Sequence, residues 1–128
     1  MEIVQTPQTP QTSPAPPILL VLTTLPDLAH AQALAEILLQ QRLAACINIL
    51  SPCVSVYRWQ GKVEQAQEVP VAIKTTAEGY AALEAAIRRH HPYELPEIIA
   101  VSVVHGLPAY LAWVATETTS IDGISTSC

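Results

Sequence analysis

The chain has 128 residues, half of them apolar, with six Lys and Arg against eleven Asp and Glu and a net charge of −5. That length suits a single domain, and so acidic a balance argues against nucleic acid or an anionic membrane, both of which need a concentrated basic surface. Apolar runs such as residues 18–22 are far too short to cross a bilayer, and residues 1–7 lack the basic-then-apolar pattern of a signal peptide.

Residues 1–17 carry prolines at 7, 10, 14, 16 and 17 among Gln, Thr and Ser. Such a stretch buries too little apolar surface to offset its ordering entropy, which predicts a disordered tail. Residues 118–128 read as a second, flexible tail, leaving 18–117 as the folded domain. It opens with a continuous apolar strand over 18–23. Asp27 follows Pro26 as the N-cap of a helix over 28–42. Gln32, Glu36 and Gln40 give that helix a wet stripe, and Leu34 and Leu38 face a core. Residues 45–50 and 54–59 alternate with period two, which predicts a strand interrupted at Ser51-Pro52. Gln60-Gly61 makes the turn, and 62–75 returns as a third strand. Thr75 with Glu78 has the capping-box form and predicts the start of a second helix. Tyr80, Leu83 and Ile87 form its apolar stripe, Arg88, Arg89 and His90 suit the negative end of its dipole, and Pro92 stops it. A fourth strand follows over 98–104, and Pro108 opens a third helix holding Tyr110 and Trp113. With no Phe in the chain, the core falls to Leu, Ile, Val and Ala.

This order predicts an α+β fold, a ferredoxin-like βαββαβ sandwich with a long hairpin between its second and third strands and an extra C-terminal helix. Pro70 is the awkward residue, because it lies in a strand that this topology makes central and cannot donate to a ladder. A bulge at Pro70, or extension of the strand beyond the sheet, is the expectation.

Two patterns predict that the subunit does not stand alone. A sheet backed by helices on one face should alternate apolar with polar, yet 18–23 does not alternate and 98–104 barely does. Each hairpin arm, about 14 residues or roughly 45 Å when extended, overruns a domain about 35 Å across, so its edges need a cover. Neighbouring copies would cover both; a hairpin bent back onto its own sheet is the alternative.

Enzyme signatures are missing: the four glycines are scattered, and neither G-x-S-x-G nor H-E-x-x-H occurs. A Cys46 nucleophile with His91 as base is conceivable, but Cys46 lies in an apolar strand, where thiols are usually inert. The three cysteines, at 46, 53 and 128, show no C-x-x-C spacing and suit a reduced, cytoplasmic setting. His90 and His91 are candidate metal ligands, weighed against a structural role in which His90 serves the helix end and His91 makes a hydrogen bond. The run His91-Pro92-Tyr93-Glu94-Leu95-Pro96-Glu97 fixes a histidine, a tyrosine and two carboxylates between prolines. Tyr57 and Trp59 alternate onto one face of the hairpin, and Lys74 ends the third strand. Meeting across subunits, these groups would form a polar site with aromatic walls.

The block H-P-Y-E-x-P-E-I, preceded in order by L-A-A-C-I-N-I, Y-R-W-x-G-K-V-E and A-I-K-T, resembles the CutA family of divalent-cation-tolerance proteins over residues 18–114. The resemblance implies a ferredoxin-like subunit, a tight homotrimer resembling PII signalling proteins, and a non-enzymatic role in tolerance of copper and other divalent cations. It fixes no cofactor, and copper or another divalent cation is the candidate it suggests. The family's copper site pairs a thiol at the end of the first strand with two histidines. His90 and His91 match the histidines, whereas Thr23 stands where the thiol would be. The metal reading therefore takes His90 and His91 with nearby carboxylates. The alternative is a PII-like small-molecule sensor whose inter-subunit clefts draw on Cys46, Tyr57, Trp59, Lys74, His91, Tyr93, Glu94 and Glu97.

Overall fold

The computed structural model describes residues 16–118, so the two predicted tails lie almost wholly outside the described residues. Strand β1 (Ile18–Leu25) leads into helix α1 (Leu28–Gln40), followed by β2 (Cys46–Ile49), β3 (Cys53–Trp59), β4 (Lys62–Thr76), α2 (Tyr80–His90), β5 (Ile99–Ser102) and α3 (Pro108–Glu117). All pairings are antiparallel. The order across the sheet is β2-β4-β1-β5, with β3 continuing the ladder along the outer half of β4. This is the ferredoxin-like α+β arrangement that the element order predicts.

Register assigns the two faces. Val21 opposes Ile73, Thr23 opposes Val71, and Leu25 opposes Val69 on the face that α1 and α2 cover. Leu34 and Leu38 of α1 and Leu83, Ala86 and Ile87 of α2 close over them, so the core is aliphatic as expected. Asp27 caps α1, accepting from the His30 amide at 2.8 Å.

On the opposite face, Leu20 opposes Lys74 and Leu22 opposes Ala72. Helix α3 covers one end of it, with Val114 fully buried and Tyr110 reaching Cys46. The rest is open, and Ile99 and Val101 of β5 are half exposed there.

Three local expectations are corrected. The second helix does not start from a Thr75–Glu78 capping box. Strand β4 runs on to Thr76, Gly79 occupies the N-cap position, and Thr75 Oγ instead donates to the Leu43 carbonyl at 2.8 Å. The fourth strand is shorter than 98–104, pairing only over Ile99–Ser102, with one further bond from the Val103 amide to the Ile18 carbonyl.

Pro70 is the third. It sits inside an uninterrupted β4 and opposes Thr24 of β1 in regular register. The irregularity falls on the neighbouring strand. Ile49 opposes Val71, but Cys53 opposes Glu68, so three residues (50–52) face two (69 and 70). The Pro70 carbonyl accepts from the Leu50 amide at 2.9 Å, which puts the proline's missing donor on the side where the partner strand breaks. One extra residue thus absorbs the gap and bends the ladder there.

Candidate functional site

The site starts from the end of α2. Pro92 disfavours helical geometry in the residue before it, and His91 is accordingly extended, at φ −85° and ψ 137°. That turn sends its ring inward, and the residue is buried. Nε2 lies 2.7 Å from the Thr24 carbonyl, and Nδ1 lies 3.1 Å from the Tyr93 amide. A carbonyl only accepts and an amide N–H only donates, so Nε2 carries the proton and Nδ1 offers its lone pair to Tyr93. His91 thereby pins the loop to the end of β1. Its ring centroid is 4.9 Å from that of Tyr93.

Tyr93 in turn donates its hydroxyl to Glu68, a carboxylate only 8 % exposed on β4. Burial, and then the Glu68 hydrogen bond and charge, push the Tyr93 phenol up to about 12. The hairpin brings the opposite wall. Gln60 and Gly61 both have positive φ, 52° and 82°, as a two-residue turn of the twist-matching kind requires. This turn sets Trp59 opposite Lys62, Tyr57 opposite Glu64 and Cys53 opposite Glu68. Tyr57, Trp59 and Glu68 consequently share one face of the ribbon. Between ribbon and loop lies a cleft of about 930 Å³, lined by Thr24, residues 55–59, Glu68 and residues 92–97. A smaller hollow of about 340 Å³ behind the loop is lined by Ala85, Arg88, Arg89, Tyr93, Glu94 and Pro96.

The sequence-predicted residues divide into three groups. Tyr57, Trp59, Tyr93, Glu94 and Glu97 all line the cleft. His91 supports it from behind, and His90, the last residue of α2, is exposed. Cys46 and Lys74 are elsewhere: a cross-strand pair on the face under α3, with Lys74 Nζ 3.9 Å from Cys46 Sγ and also bonded to Asn48 Oδ1. Tyr110 joins them through a hydrogen bond with Cys46. Burial and then that bond raise its phenol above the ordinary value.

Glu68 and Thr24 escaped the sequence reading. The signal for Glu68 was present, since a two-residue turn at 60–61 fixes the register that puts it on the Tyr57 and Trp59 face. Nothing in the sequence marks Thr24, which contributes a backbone carbonyl.

A copper site at His90 and His91 fits poorly. Both nitrogens of His91 are engaged, leaving no lone pair for a metal. Thr23, where the resemblance would place a thiol, is a buried hydroxyl on the core face. Among the described residues no three His, Cys, Asp or Glu side chains converge as a metal site.

A family model described as "CutA1 divalent ion tolerance protein" matches residues 19–117. The divalent-cation tolerance protein CutA of Citrobacter koseri is 44 % identical over 98 residues, covering 77 % of this chain and 85 % of the relative. The crystal structure of CutA from Xylella fastidiosa superposes with a TM-score of 0.78 at 47 % identity, over 80 % of this chain and 98 % of the other. CutA1 from Oryza sativa gives a TM-score of 0.81 at 34 % identity, over 84 % and 98 %.

Proposed function

This chain belongs to the CutA1 divalent ion tolerance protein family, and from that premise we propose that it serves cation tolerance as a non-enzymatic cytoplasmic homotrimer that senses a small molecule. The cleft between the hairpin and the 92–97 loop carries this reading. It is large enough for a metabolite, walled by aromatic rings, and held in shape by the His91 and Tyr93 hydrogen bonds. Pockets of this make-up, mostly apolar with a few placed polar groups, are the usual form of a ligand site.

Assembly is supported by the apolar surface left uncovered. Ile99 and Val101 lie on the open sheet face, and Val54, Val56 and Val63 are exposed along the hairpin. Exposed apolar surface of this extent generally marks an interface. The thiols of Cys46 and Cys53 are free, which suits a reducing compartment. The non-enzymatic reading is supported by the position of Cys46, beneath α3 and apart from His91, which leaves the conceivable nucleophile and base on different parts of the fold.

Native mass spectrometry tests assembly and ligand together, with three copies and a retained small mass as the expected result. A well-folded single chain at micromolar concentration would refute the trimer. Copper(II) calorimetry on wild type and His90→Ala tests the competing reading. Equal, weak heats are expected, whereas stoichiometric binding lost in the variant would restore a direct metal role.

A further inference from the structure

The make-up of the cleft narrows what it can hold. Three of the chain's six aromatic residues, Tyr57, Trp59 and Tyr93, line this one cavity. Tyr57 and Trp59 are 43 % and 41 % exposed, so their rings have free surface to offer. The charged lining is three carboxylates, Glu68, Glu94 and Glu97, against the single guanidinium of Arg58. Arg58 alternates with Tyr57 and Trp59 along β3, opposing Val63, and so belongs to the other face of the ribbon. Glu68 is committed to Tyr93. Glu94 and Glu97 are exposed and make no ion pair among the described residues.

An anion entering this space would meet carboxylates and the negative faces of aromatic rings. A hard divalent cation would need several oxygens closing on one point, and no such convergence exists among the described side chains. An organic cation matches both kinds of lining. Its diffuse charge is attracted to ring faces, its carbon skeleton gains from their apolar surface, and the rim carboxylates balance its charge without having to coordinate it.

We propose that the cleft binds an organic ammonium ion, held against Trp59, Tyr57 and Tyr93 and neutralised by Glu94 and Glu97. This rests on the reading of the cleft as a ligand site and names the class of ligand.

The test uses the full chain with Trp113→Phe, which leaves Trp59 as the only indole. Choline, spermidine and, as the charge-reversed control, AMP are titrated while Trp59 emission and calorimetric heat are followed. Choline or spermidine is expected to give a saturable response, weakened about tenfold or more by Glu94→Gln/Glu97→Gln and lost to calorimetry in Trp59→Leu. The Glu pair is exposed, so its replacement leaves the fold intact, and circular dichroism checks the Trp59 variant. A response to AMP with silence from both cations overturns the ammonium assignment while leaving the cleft as a ligand site. Cation binding indifferent to the Glu94 and Glu97 changes overturns it as well. Silence from all three probes overturns it too, and native mass spectra then separate the two readings. A retained mass that disappears in Trp59→Leu keeps the cleft with another ligand, and its absence removes both.

Discussion

Thr23→Val should make the protein more stable. Thr23 is 1 % exposed on the core face of β1, flanked on that face by Val21 and Leu25 and opposed by Val71. Its hydroxyl oxygen is buried without a hydrogen-bond partner on the protein. Leaving such a group unsatisfied costs about 1–3 kcal/mol, and valine keeps the branched shape, so strand geometry is preserved. Part of the gain is lost to imperfect packing of the new methyl group, leaving roughly 1 kcal/mol, or about 4–8 °C in melting temperature for a domain of this size. Thr75→Val is the matching control. Thr75 is equally buried on the same sheet face, but its hydroxyl donates to the Leu43 carbonyl at 2.8 Å. Its replacement removes that bond and should cost about 1 kcal/mol. Urea unfolding at matched protein concentration, with the slope unchanged, reads both. A destabilising shift for Thr23→Val, of the same sign as that of Thr75→Val, would refute the reasoning, because it would mean that the Thr23 hydroxyl has a partner after all.

Replacing His91 by alanine frees the Thr24 carbonyl and the Tyr93 amide together. A loss of about 2 kcal/mol is expected, with faster hydrogen exchange at the Tyr93 amide; unchanged exchange would mean the ring does not hold the loop. The Tyr93 phenol, pushed up to about 12 by burial and then by Glu68, favours the folded state below its unfolded value near 10. Stability should therefore fall as pH rises from about 10 through about 12, by about 1 kcal/mol after allowance for its partial exposure, and Tyr93→Phe should abolish that slope. At the acid end, the His30 amide first, and then its ring, lower the Asp27 carboxyl. The stability gap between wild type and Asp27→Ala should be constant above about pH 4 and close as pH falls through the lowered folded value. A gap that persisted in acid would mean the cap does not depend on ionisation.

Periodicity made most of the fold legible. The stripes of Leu34 and Leu38 and of Leu83 and Ile87 face the core, and the alternation of Val69, Val71 and Ile73 marks the core face of β4. The end of β4 was misread because Thr75 and Thr76 suit a helix cap and a strand equally well. What decides is the distant Leu43 carbonyl, which captures the Thr75 hydroxyl. In the site, Tyr57, Trp59, Tyr93, Glu94 and Glu97 came together because turn and loop chemistry is local. Cys46 and Lys74 did not join them. Strand register sets that pair beneath α3, and no composition cue reveals which end of a sheet a short helix will cover.

The spare residue in the 50–52 segment has a consequence for engineering. The pitch at which the β3–β4 arm leaves the sheet is encoded as a count of residues, not as their identity. Point changes there, Pro70→Val among them, should leave the arm's aim almost untouched. Deleting Ser51 would let the two half-ladders run on as one, and the arm would straighten like a splint. Trp59 would then swing relative to Tyr93, and small-angle scattering should report a longer particle. If the scattering profile is unaltered by that deletion, some other contact steers the arm.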